Sequence, residues 1–83
     1  MSLPSYRFLW LEIAERQYLD LPDDARRLVD ERLAQLERDP LGLPDGVYDS
    51  SSDQWSATVG GGLVLYAVVA EPATVIVLRL VVL

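Results

Sequence analysis

The segment Gln54–Leu83, read as QWSATV, GGG, LVLYAVVA, EPA and TVIVLRLVVL, decides the fold. Gln54–Val59 alternates polar and apolar side chains with the two-residue period of a strand. Gly60, Gly61 and Gly62 then supply the backbone freedom of a tight turn. Leu63–Ala70 and Thr74–Leu83 are rich in β-branched residues and are separated by a second turn at Glu71-Pro72-Ala73. Three strands joined this closely predict an antiparallel meander.

Upstream of it, Leu41–Asp53 carries Gly42, Pro44, Gly46 and the run DSSSD, the composition of a loop. Before the loop the period changes from two to nearly four. Ala25, Leu28, Val29, Leu33 and Leu36 form one apolar stripe, with Arg26, Arg27, Asp30, Glu31, Glu37 and Arg38 opposite it. Pro22 opens this predicted helix, with Asp23 and Asp24 as capping and dipole-favourable charge, and Asp39-Pro40 ends it. A first helix is predicted over Leu11–Leu21, with Ile13, Ala14, Tyr18 and Leu21 at helical spacing and Glu12 and Glu15 in its first turn. YRFLW at Tyr6–Trp10 fits a short strand. The whole chain, residues 1–83, reads as a single domain in the order strand, helix, helix, three-stranded meander.

Composition narrows the chemistry. Lysine, histidine and cysteine are all absent, so every positive charge is an arginine and no disulfide or thiolate metal site can form. The formal charge of −6 argues against direct nucleic-acid binding, which depends on a field of basic side chains. The longest apolar run, Val75–Leu83, is broken by Arg79 and is far short of a membrane span, and no secretory leader pattern opens the chain. These features point to a soluble, cytoplasmic protein with no membrane association.

The serines have no histidine or lysine to activate them, so a nucleophilic triad is excluded. Asp49 and Asp53 around three serines lack the further ligands and central glycine of a calcium loop. The three glycines are followed by neither a helix pattern nor a lysine, so they read as a turn and not as a phosphate cradle. Tyr66, inside an apolar strand, reads as core. No metal and no cofactor is expected.

Residues of both parities are apolar in LVLYAVVA and TVIVLRLVVL. Two helices cover one face of a small sheet, so the other face exposes leucine and valine, the mark of a partner site. At ~25 cal/mol per Å², covering about 400 Å² of it would contribute on the order of 10 kcal/mol before association costs. Arg79, the one cation in the region, is either a contact for phosphate or a partner carboxylate, or a solvated arginine paired with an acid of the loop. The residues expected at the partner face are Leu63, Leu65, Val77, Arg79, Val81 and Leu83.

The order of elements and several local strings resemble the RelE/ParE toxin superfamily of type II toxin–antitoxin modules. The matching stretches are YRFLW, EIAERQYLDLP, LAQLERDP, the strand led by Trp55, the turn at Gly60 followed by LVLY ending in Tyr66, and the closing VLRL. They span essentially the whole chain. The resemblance implies an α+β fold: an N-terminal strand, a two-helix hairpin and a three-stranded antiparallel meander, with both helices on one face of the sheet. It also implies neutralisation by a wrapping antitoxin, and either ribosome-dependent mRNA cleavage or gyrase inhibition as the activity. In the RNase branch, basic side chains stabilise the charge developing at the phosphate and assist proton transfer without a metal.

Position by position, this chain has Ser56, Thr58, Leu63, Val82 and Leu83 where the family commonly has basic residues, and only Arg79 matches, as the single candidate for a catalytic role. One guanidinium stays protonated near neutrality and cannot also serve as the base. The resemblance therefore implies a catalytically degenerate toxin that acts by binding an antitoxin-like polypeptide or a second copy of itself, with an active growth-inhibiting toxin as the alternative.

Overall fold

Each glycine or proline turn in the sequence separates two elements of the computed structural model, which describes residues 5–81. The chain runs β1 (Arg7–Trp10), α1 (Glu12–Leu19), α2 (Asp23–Arg38), β2 (Val47–Asp49), β3 (Gln54–Val59), β4 (Gly62–Val69) and β5 (Thr74–Val81). The strands form one sheet in the order β1-β5-β4-β3-β2. β2 to β5 are a continuous antiparallel meander, and β1 lies parallel to β5 at the edge, as the helical excursion between them allows. The fold is α+β, as expected.

β2 corrects the sequence reading of Leu41–Asp53 as loop throughout. Val47, Tyr48 and Asp49 pair with Ser56, Trp55 and Gln54. Three residues are too few to show a period, and the DSSSD run masks them. That run is the hairpin turn: Asp49 accepts hydrogen bonds from the Ser51 amide at 2.9 Å and hydroxyl at 2.6 Å. Asp53 closes the turn at a φ of 53°, a left-handed conformation that aspartate tolerates better than most residues, and accepts the Tyr48 hydroxyl at 2.6 Å.

Both helices start with acids in the first turn and end with arginine in the last, Glu12 and Glu15 to Arg16 in α1 and Asp23 and Asp24 to Arg38 in α2. Each charge opposes the end of the dipole nearest to it. Pro22 occupies the cap position before α2, and no side-chain capping bond is made there. Asp23 and Asp24 thus act through charge, and Asp23 also forms an ion pair with Arg26.

α1 packs over β5 and α2 over β3, both on the same side of the sheet. Val29 and Leu36 are the fully buried positions of α2 and Ala14 of α1, while Leu28 sits at the rim against Gly60. From the sheet, Ala57, Val59, Val64, Tyr66, Val75, Val77 and Leu80 complete the core. Phe8, Trp10 and Trp55 close it at the ends. Among the described residues, no helix lies on the opposite face of the sheet.

Candidate partner-binding face

Strand β5 switches faces part-way along. Tyr66 pairs with Val77, but the preceding residue, Leu65, pairs with Arg79, so Leu78 is an extra residue in the ladder. A bulge of this kind reverses the parity of everything beyond it. Before it, Val75 and Val77 point to the helices and are fully buried; after it, Leu80 points there, and Arg79 and Val81 turn outward. By unbroken alternation Arg79 would share the helix side with Val75 and Val77, where a guanidinium would have no water and no counterion.

On the open face the register sets Arg79 beside Leu65, Leu65 beside Ser56 and Ser56 beside Val47. The neighbouring row is Thr58, Leu63 and Val81. Leu63 and Val81 are 40% and 42% exposed, and Leu65 is half-buried between them. Arg79 is exposed and forms no ion pair with any described residue. Of the loop acids expected as its partners, Asp49 and Asp53 are engaged in their own turn and Asp45 pairs with Arg32. Val77, also expected on this face, lies instead at the centre of the core, because the bulge falls after it. Leu83, with Val82, lies outside the described residues.

Tyr66 is fully buried on the helix side, and its hydroxyl donates to the Pro40 carbonyl at 3.3 Å. Burial pushes its pKa up, with the Asp45 carboxylate adding to the shift. Of the other hydroxyls, Ser51 donates to Asp49 within the β2–β3 turn and Thr58 donates to Asp45. Among the described residues no three acidic, histidine or cysteine side chains gather to hold a metal ion, and no helix is long and apolar enough to cross a membrane. Beside Ser56 and Leu65, an open cleft of about 500 Å³ runs along the β2 edge between Asp49, Gln54 and Trp55.

Sequence reasoning missed one cluster altogether. Beyond Ser56, β3 has no strand on its β2 side, and the groups of Thr58 on that edge are taken by side chains instead. Arg32 Nε donates to the Thr58 carbonyl at 2.9 Å, and the Thr58 hydroxyl donates to Asp45 at 2.7 Å. Arg32 and Asp45 close the set with an ion pair at 2.5 Å. The Asp45 carboxyl is held below its ordinary pKa chiefly by the Thr58 hydroxyl, with Arg32 contributing less. These three residues lie in three different segments, so no local spacing announces them. Thr58 is therefore committed to sealing a strand edge.

No protein-family model matches the chain, and no curated protein matches it significantly. Solved structures do. The RelBE2 toxin–antitoxin complex of Mycobacterium tuberculosis aligns with a TM-score of 0.77 at 28% identity, over 92% of this chain and 95% of that one. The fold of this chain is that of the RelE/ParE toxin superfamily. The archaeal RelE–RelB complex of Pyrococcus horikoshii aligns at 0.75 with 21% identity, over 92% of each chain. The YoeB/ParE toxin of Agrobacterium tumefaciens aligns at 0.78 with 14% identity, over 89% of this chain and 94% of that one. In this RelE/ParE-like chain the open sheet face carries Arg79 in an apolar surround, with Arg7 outward on the edge strand β1.

Proposed function

We propose that this chain is the toxin-like component of a type II toxin–antitoxin pair, and that it acts by protein–protein contact through its open sheet face, without cleaving RNA. The reading rests on the face itself: Arg79 stands outward among Leu63, Leu65 and Val81, and Asp45, the carboxylate bonded to Thr58 in the same row, is held in an ion pair with Arg32. A guanidinium ringed by leucine and valine suits a partner that brings a carboxylate and apolar side chains together, which is protein chemistry. The preferred occupant is an antitoxin-like polypeptide, in keeping with the antitoxin-bound relatives; a second copy of the chain is the alternative occupant.

Tightly controlled induction in a bacterial host, with soluble protein confirmed in the same cultures, tests this reading. Unimpaired growth is the expected result. Growth arrest that is relieved in Arg79→Ala but retained in Arg79→Lys would overturn it in favour of an active growth-inhibiting toxin directed at mRNA or gyrase.

A further inference from the structure

On the helix side, at the junction of α1, α2 and β1, lies a groove of about 350 Å³ lined by Trp10, Glu15, Tyr18, Leu19, Asp30 and Leu33. The Trp10 and Tyr18 rings meet at a centroid distance of 5.2 Å, tilted by 59°. Leu19 is 60% exposed at the lip. Two of the six lining side chains are carboxylates and none is basic.

Those carboxylates are free to act. The two ion pairs among the described residues join Arg26 to Asp23 and Arg32 to Asp45, so neither Glu15 nor Asp30 is ion-paired, although Arg26 and Arg27 line the adjoining hollow beside Tyr18 and Asp30. Asp30 accepts the Tyr18 hydroxyl at 2.6 Å through one oxygen, and its other oxygen has no described partner. Tyr18 is thereby fixed against Trp10, so the aromatic wall is ordered before anything enters. Two electron-rich rings, an aliphatic wall and two carboxylates are the complement of a cation on an apolar stem. A planar guanidinium can lie flat on a ring and bond a carboxylate at its edge together, which an ammonium cannot. The chain's charge of −6 draws such a group from a distance.

We infer that this groove binds an arginine side chain presented by the partner polypeptide, making the partner's docking segment basic. The inference deepens the proposed function and rests on it only for the existence of a polypeptide partner; the groove's preference for a guanidinium stands on its own residues.

The test uses the full chain and two small probes, Nα-acetyl-arginine amide and its uncharged isostere Nα-acetyl-citrulline amide, followed by amide and indole NMR shifts. The arginine probe should move the Trp10 indole and Leu33 amide signals saturably in the millimolar range and the citrulline probe should not. In Glu15→Gln combined with Asp30→Asn, arginine affinity should fall about fivefold or more. The asparagine keeps an acceptor for Tyr18, so the wall survives, and Glu15→Gln alone, at an exposed helix position, gives a smaller loss in the same direction. Equal shifts from citrulline, shifts centred away from the groove, or undiminished binding by the double variant would overturn the inference. None of these readouts depends on the open sheet face or on growth.

Discussion

Gln17, on α1, accepts the backbone amide hydrogen of Leu80 at 2.8 Å. Leu80 stays paired with Val64 of β4, but β1 ends opposite Val77, so on that edge of β5 the helix supplies the acceptor for this amide. A helix side chain thus secures the stretch of β5 that presents Arg79. Gln17→Ala should leave that amide without its partner and destabilise the fold by about 1–3 kcal/mol. Chemical denaturation gives the magnitude, and hydrogen exchange should show the Leu80 amide losing protection more than the amides of Val75 and Val77.

The sealed edge of β3 makes a pH prediction. Asp45 has a lowered pKa in the folded chain, so its contribution to stability is complete above the ordinary value of 3.8 and is lost as pH falls through the lower folded value. Asp45→Asn should flatten this acid limb of the stability curve, and denaturation midpoints between neutrality and strongly acidic pH will show it. An unchanged limb would mean that other carboxylates carry the acid sensitivity.

Tyr66 is core with one polar tether. Tyr66→Phe removes the hydroxyl bonded to Pro40 and should cost about 0.5–1.5 kcal/mol, toward the lower end given the 3.3 Å separation. The phenol's raised pKa also means that Tyr66 ionises later than an exposed tyrosine. The variant should lose a late-titrating component from the ultraviolet alkaline titration.

Core and open face separate cleanly under substitution. Leu36→Ala, at a fully buried position of α2, should destabilise by about 2–5 kcal/mol. Leu63→Asp and Val81→Asp, both outward, should change stability far less while abolishing partner binding or self-association. Sedimentation of the variants alone and with the co-expressed partner distinguishes the two effects.

The meander was legible because glycine and proline turns bracket each strand and because its apolar density admits no other element. The helices were legible from their stripes, although Leu28 and Ile13, counted as apolar stripe positions, are 45% and 47% exposed at the ends of the packed surface. The partner face was only partly legible. Leu63, Leu65, Val77, Arg79, Val81 and Leu83 all share one parity, and a run without polar punctuation gives no sign that a bulge intervenes. That is why Val77 falls in the core while Arg79 does not. The Arg32–Asp45–Thr58 set was invisible for a different reason, since only the folded chain brings α2, the loop and β3 together.

The bulge also changes what Arg79 means for folding. Apart from Thr74 at its start, the rest of β5 is apolar on both parities, so sliding it by one residue against β4 would exchange leucine for valine at little loss of burial. Hydrophobicity alone leaves its alignment nearly degenerate. Arg79 is the one side chain for which a slip is expensive, because it would enter the core. It serves as an address label for the strand, and its replacement by leucine should yield doubled backbone resonances along β5 from two coexisting alignments.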